Sequence, residues 1–310
     1  MFVVAICGAR IYDQKLPHEQ AYNAYLADCA AMFRASPLLR FMTAQELHSS
    51  PQNATHVLLL GFAEDLDARF AHLGPSKIIH VSMEPESFQW FTPKQQTTIA
   101  HRASKCIAGK PNVATFGHKA HGGYVLIPTR MIQQVPQVPR PLSERRLVSL
   151  PFSNKRVLTG HRYRHQLALA LLQDPRALSV DLWGRGVADF AKANPKIAKD
   201  ARLKGEFDKL QPYTDYQFSI VIENSREGHY FSEKMYLPIF CGCTPLYFGT
   251  SRIGDYFPQS TYALTGDLAQ DVDLVAQVCA GRLPPCDTAT AKRTFQKKWN
   301  WYEYLHKQFS

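Results

Sequence analysis

Short apolar runs alternate with stretches of helical spacing along this chain, and the alternation predicts most of its elements. Phe2 to Cys7 is an apolar run stopped by Gly8 and reads as a first buried strand. Gln20 to Phe33 carries Ala, Tyr, Leu and Met on one side of a helix. His56 to Phe62 predicts a strand, Ala63 to Leu73 a helix, and Lys77 to Ser82 a strand ending at Met83-Glu84-Pro85-Glu86. Ser104 to Ala108 and Tyr124 to Ile127 add two short strands. This interval of strand and helix predicts an α/β domain with a mostly parallel sheet.

Residues 129 to 142 lose all periodicity, and with Pro128, Pro136, Pro139 and Pro141 they read as an interdomain linker. The pattern restarts with a strand over Leu147 to Phe152, a helix over Arg162 to Leu172 and a strand over Leu178 to Trp183. Tyr216 to Ile222 places Phe218, Ile220 and Ile222 on one buried face, then breaks into the polar loop Glu223-Asn224-Ser225-Arg226-Glu227-Gly228-His229. Ser232 is a fitting N-cap for a short helix ending near Gly242, and Pro245 to Phe248 forms the next strand. Strand, polar loop, helix start and strand is a geometry that places phosphates at a helix N-terminus.

The charges in this window add chemistry to the pattern. Lys234 falls in the first turn of the predicted helix, where the macrodipole disfavours a cation. A lysine there makes better sense with an anion between it and the free backbone N–H groups. Glu233 can accept hydrogen bonds from sugar hydroxyls, and Asn224 and Tyr230 supply neutral polar edges. Together they describe a nucleotide-diphosphate site; an ordinary capped helix with solvated charges would use the same residues.

Glu223-Asn224-Ser225, four residues, then Tyr230-Phe231-Ser232-Glu233-Lys234 resembles the donor-site signature of the α1,3/α1,4-fucosyltransferases, family 10 of the glycosyltransferases. Gly242-Cys243-Thr244-Pro245 and Gly249 match the G-x-x-P and closing glycine that follow in that family. Upstream, Ser153-Asn154, His161-Arg162-Tyr163-Arg164 and Val180-Asp181-Leu182-Trp183-Gly184 are similar to its S-N, R-x-R and V-D-x-Y-G order. The family's pyrophosphate-binding arginine falls on Arg162, with Arg164 as the alternative register. A guanidinium suits that role because its fork donates two parallel bonds. Ile78 to Glu84 resembles a family strand ending in a catalytic glutamate, here Glu84, although Met83 and Pro85 replace a glycine and an asparagine.

The resemblance implies GT-B architecture, two Rossmann-like α/β domains facing a cleft. Residues 1–135 would bind the acceptor, 143–290 the GDP-sugar donor, and 291–310 would form a basic, aromatic helix packed back on the first domain. It implies an inverting transfer of fucose from GDP-fucose to a hydroxyl of an oligosaccharide, with Glu84 as general base and Glu86 as its competitor. Arg162, Arg164, Asn224, Ser225, Tyr230, Glu233 and Lys234 would hold the donor, with no metal or other cofactor required. The alternatives are a GT-B transferase for another nucleotide sugar and a non-catalytic nucleotide- or glycan-binding protein.

Composition changes little of this. A chain of 310 residues with 45% hydrophobic content is long enough for two medium domains. Seven irregularly spaced cysteines fit a reducing compartment rather than a disulfide framework, which points to the cytoplasm. No apolar run reaches the roughly 18–20 residues that span a bilayer, and residues 2 to 7 lack the basic start of a signal peptide. The chain opens directly on a strand, as bacterial members of the resembled family do. The net charge of +10 is dispersed, without a nucleic-acid motif, so nucleic acid is not an expected partner. Part of the excess is local: Lys292, Arg293, Lys297, Lys298 and Lys307 interleave with Trp299, Trp301, Tyr302, Tyr304 and Phe309. Such a segment could rest peripherally on an anionic membrane; docking on the protein is the preferred reading. His118 with His121, and Cys241 with Cys243, lie in different predicted domains and do not add up to a four-ligand metal site.

Overall fold

The computed structural model describes residues 1–7, 18–60, 63, 65–81, 93–103, 105–107, 114–115, 118–119, 132–208, 210–226, 228, 230–298 and 300–310. The chain divides into two compact units. The first holds residues 1–133, Gly228–Tyr230 and Gln296–Ser310; the second holds Gln134–Glu227 and Phe231–Phe295.

Unit 1 runs β1 (Phe2–Cys7), α1 (His18–Met32), β2 (Leu39–Phe41), α2 (Ala44–Ser49), β3 (His56–Leu60), α3 (Leu66–Phe70), β4 (Ile78–Val81), α4 (Pro93–Arg102) and β5 (Lys105–Ile107). A two-stranded antiparallel pair, β6 (Ala114–Thr115) and β7 (His118–Lys119), follows. The described strands form a parallel sheet in the order β2-β1-β3-β4-β5. Every residue of β3 and β4 is buried, as a sheet covered on both faces requires. Thr43 and Glu46 close a capping box at the start of α2, which explains a helix of six residues without strong periodicity.

Unit 2 runs β8 (Arg146–Pro151), α5 (Thr159–Gln173), β9 (Val180–Trp183), α6 (Val187–Ala193), β10 (Leu203–Gly205), α7 (Gln211–Thr214), β11 (Tyr216–Ile222) and α8 (Glu233–Phe240). It continues through β12 (Thr244–Phe248), α9 (Ile253–Tyr256), β13 (Tyr262–Ala263), α10 (Leu268–Cys279) and most of α11 (Thr288–Lys298). The parallel sheet has the order β10-β9-β8-β11-β12-β13, which is the doubly wound order 3-2-1-4-5-6 of a Rossmann fold. Strand order reverses between β8 and β11, and such sheets bind ligands at the carboxyl ends of the strands beside that point. Val148, Leu150, Phe218, Ile220 and Ile222 point to one face and pack with Leu167 and Leu171 of α5 and Val272 and Val275 of α10.

α8 ends in a Schellman motif. Gly242 takes φ 75°, its N–H bonds Ile239 O at 3.1 Å, and Cys243 N–H bonds Pro238 O at 2.8 Å. Arg145, buried at the entrance to β8, donates to the carbonyls of Arg140, Tyr216, Cys241 and Gly242, tying the linker to the lower end of the sheet.

The stretch expected as one helix over 291–310 forms two. Asn300 caps α12 (Trp301–Phe309), accepting from Tyr302 N–H at 3.0 Å and Glu303 N–H at 3.4 Å, and donates to Arg34 O at 2.9 Å. An N-cap residue has a non-helical backbone, so the cap breaks the run. Tyr302, Leu305 and Phe309 of α12 are buried, with Tyr302 against Phe41 and Phe309 against Phe2 and His56. The predicted strand over Tyr124 to Ile127 lies outside the described residues. No helix among the described residues is long and apolar enough to cross a membrane.

Candidate functional site

The carboxyl ends of β8 and β11 gather most of the polar residues that the sequence singles out. Glu223 directly follows β11, with its backbone N–H bonded to Phe248 O at 2.8 Å, and its side chain is fully buried. Oε1 accepts from Ser232 N–H at 2.8 Å and Oε2 from Ser232 Oγ at 2.7 Å. Lys234 Nζ lies 3.8 Å from Glu223 Oε2, 3.3 Å from Glu233 Oε1 and 3.0 Å from Ser232 Oγ. The Ser232 hydroxyl therefore donates once, to Glu223, and accepts from the Lys234 ammonium, while also capping α8.

This arrangement accounts for a cation in the first turn of a helix. Burial alone would push Lys234 down, but the carboxylates of Glu233 and Glu223 hold its pKa above the ordinary value. Glu223 is pushed up by burial, with Lys234 opposing. Burial also works against Glu233, yet the Lys234 charge keeps it below the usual carboxylate range. Part of the anion that the position of Lys234 calls for is thus supplied from within, by Glu223.

Arg164 and Arg162 lie on different sides of α5. Arg164 is buried and bridges the two strand ends, donating to Ser153 Oγ at 3.0 Å and Ile222 O at 2.7 Å. Its charge is felt by Lys234, so Glu223, Glu233, Lys234 and Arg164 together are formally neutral. Arg162 is exposed, 3.5 Å from Val157 O, beside the exposed Lys155 and Arg156 of the loop into α5. An exposed cationic rim over a neutral buried base is suited to an incoming anion.

Asn224 is gripped by the first turn of α5. Gly160 N–H bonds Asn224 O at 3.1 Å, and His161 Nε2 lies 3.0 Å from Asn224 Oδ1. The approach is so close that a Cβ on Gly160 would stand 1.8 Å from Glu223 O. His161 Nδ1 accepts from Leu158 N–H at 3.2 Å, taking the back-bonding place that Glu or Gln fills in a capping box. Burial, then the charge of Arg164, lowers its pKa to about 4, so the ring is neutral at pH 7. Ser225 is buried, and its Oγ has no partner among the described residues. Tyr230 is buried too, in the short segment that groups with unit 1.

Sequence reasoning assigned no role to Glu223, Gly160 or His161, though a histidine three residues past the helix N-cap was a readable signal. Glu84 and Glu86 lie outside the described residues, as does His121. Cys241 and Cys243 are buried thiols whose pKa values burial raises, Cys241 to about 12, which makes them unreactive at neutral pH.

No family profile matches the chain. A putative fucosyltransferase-like protein of Arabidopsis thaliana is 32% identical over 73 residues, 24% of this chain and 14% of that relative. Among solved structures, HepE of Anabaena, determined with UDP, superposes with a TM-score of 0.55 at 13% identity, over 99% of this chain and 98% of that one. TarM of S. aureus, determined with fondaparinux, α-GlcNAc-glycerol and UDP, gives 0.53 at 10% identity over 82% of this chain. The chain spans 54% of TarM. An α1,3-fucosyltransferase with GDP-fucose gives 0.51 at 10% identity, over 96% and 82% of the two chains. These likenesses establish the fold, that of the GT-B glycosyltransferases.

Proposed function

We propose that this chain is an inverting glycosyltransferase that moves fucose from GDP-fucose to a hydroxyl of a glycan acceptor. The observation that carries the reading is the polar cluster at the strand-order reversal of unit 2, where Lys234, Arg164, Asn224 and the α8 cap meet at two strand ends. In this reading the α5 rim and Lys234 receive the diphosphate, and Glu233 accepts from the ribose hydroxyls. Asn224 and Ser225 complete the polar lining, and Tyr230 is assigned to the donor on the resemblance alone.

The acceptor oxygen attacks the anomeric carbon as the bond from that carbon to the phosphate oxygen breaks. The hydroxyl proton passes to a carboxylate, assigned to Glu84 with Glu86 as its competitor. Lys234 and Arg162 take up the charge that grows on the departing GDP, so no other group is asked to stabilise it. A single displacement of this kind inverts the anomeric centre.

The fucosyltransferase-like relative and the GDP-fucose complex support the donor; the UDP complexes of HepE and TarM support a second reading, with another nucleotide sugar in the same site. A thermal-shift panel separates them. A nucleotide at a hundred times its Kd adds about 2.7 kcal/mol of stability. GDP and GDP-fucose are expected to raise the melting temperature, and GDP-fucose to be consumed with a glycan acceptor. Stabilisation by UDP alone would move the donor to a UDP-sugar, and stabilisation by neither would remove the transferase reading.

A further inference from the structure

We propose that His161 is a positioning residue: as its Nε2–H tautomer it locks the Asn224 amide so that the NH2 group stays open to an acceptor oxygen of the ligand. The claim takes its ligand, the nucleotide of the donor, from the function proposed above. The proton placement follows from partners whose roles are not interchangeable. Leu158 N–H can only donate, so Nδ1, 3.2 Å away, is the accepting nitrogen of the ring. The ring hydrogen then sits on Nε2 and points at Asn224, 3.0 Å away, which must answer with Oδ1. The flipped amide would set two N–H donors against each other.

Asn224 is therefore held twice by the same helical turn, through its carbonyl by Gly160 N–H and through Oδ1 by His161. Its Nδ2 makes no hydrogen bond among the described residues, and the residue is only half buried. An amide fixed on its oxygen side, with both N–H groups unspent, is ready to donate to phosphate or ribose oxygens without losing rotamer freedom on binding. The cations facing His161, Arg164 on its own helix, Lys155 on the loop before it and Lys234 on α8, all favour the uncharged ring. A charged ring would place an Nδ1–H donor against Leu158 N–H and break the arrangement.

Two measurements on the full chain test this. Long-range proton–nitrogen correlation of 15N-histidine protein at pH 7 is expected to show His161 protonated on Nε2. The Asn224 side-chain amide resonances should move in His161→Ala. An Nδ1–H or doubly protonated ring, or an unmoved Asn224 amide, overturns the proposal whether or not a nucleotide binds.

The second measurement is a GDP titration of wild type, His161→Ala, Asn224→Ala and the double variant. Each single change is expected to weaken binding roughly three- to tenfold, with the double variant no weaker than the worse single. His161→Gln, which keeps a donor for Asn224 Oδ1, should recover most of the loss and serves if the alanine variant does not fold. Additive losses, or no loss in folded His161→Ala, contradict the positioning role. Comparing guanosine with GDP assigns the oxygen: an Asn224→Ala penalty confined to GDP marks phosphate, and an equal penalty marks ribose. If wild type binds neither GDP nor UDP, the donor reading fails, and the NMR results still decide the role of His161.

Discussion

Three side chains, Glu223, Ser232 and Lys234, carry most of the candidate site, and only part of their logic can be read from sequence. Ser232 as N-cap was legible because Ser before an acidic-basic helical start has a known local geometry. Glu223 was not, because burial of a carboxylate at a strand end depends on what the rest of the sheet packs over it. Arg162 and Arg164 could not be told apart either. Residues two apart on a helix point in different directions, and which of them meets β8 and β11 is settled by packing rather than spacing. One consequence is a pH effect. In Lys234→Met the buried Glu223 loses its counter-charge, so its pKa, already raised, rises further. The folded state then binds a proton that the unfolded chain releases, so stability is kept below the unfolded carboxylate pKa and lost as pH rises through the folded one. Melting curves from pH 5 to 8 should show the gap between wild type and Lys234→Met widening with pH; a constant gap would mean that Glu223 is not the partner.

Among the elements, strands with long apolar runs were the easy part. β1, β3, β8, β11 and β12 are filled by such runs and fall where the pattern places them, within a residue or two. Three of the four edge strands of the parallel sheets, β2, β10 and β13, have only two or three residues each, too few to show a period, and they exist because a neighbour offers its backbone groups. Pairing of this kind, between residues far apart in sequence, has no local signature. The α5 start shows the same limit, since nothing local reveals that Gly160 touches the backbone of Glu223, just past β11. Gly160→Ala should cost several kcal/mol, because the new Cβ would stand 1.8 Å from a backbone oxygen with no room to yield, and it should loosen the Asn224 turn as well. Denaturant unfolding within about 1 kcal/mol of wild type would show that the approach is less tight. α12 offers a test in unit 1: Leu305 is fully buried, so Leu305→Ala should cost about 2–5 kcal/mol. Tyr302, Leu305 and Phe309 are spent on that core and do not face a bilayer. Near-wild-type stability in the same denaturation experiment would show that α12 contributes little to unit 1.

At the scale of the whole molecule, alternation of strand and helix foretold α/β layering, and the five- and six-stranded sheets of the described residues are parallel as that pattern requires. Strand order is a different matter. The reversal between β8 and β11, beside which the candidate site lies, depends on which strands pair across dozens of residues and leaves no trace in hydropathy. Each unit also buries a neutral histidine. Burial, and then a nearby cation, Lys77 for His56 and Arg164 for His161, lowers both pKa values to about 4. The unfolded chain binds these protons near pH 6.5 and the folded chain does not, so stability falls with pH between about 6.5 and 4. Each histidine contributes up to about 3 kcal/mol to that loss, offset in part by Glu223, which is shifted the opposite way. Calorimetric melting temperatures should drop steeply below pH 6, and His56→Phe should flatten part of the slope; an unchanged slope in that variant would return the acid sensitivity to other groups.

The central claim is that the Lys234 cluster is a nucleoside-diphosphate site, and the most direct test is a calorimetric titration of GDP into wild type and folded Lys234→Met at pH 7. A lost charge-assisted contact of about 1.5–3 kcal/mol predicts saturable binding to wild type and a roughly 10- to 100-fold weaker Kd in the variant. Equal affinity in the two proteins, or no saturable binding of GDP or UDP to wild type, would contradict it.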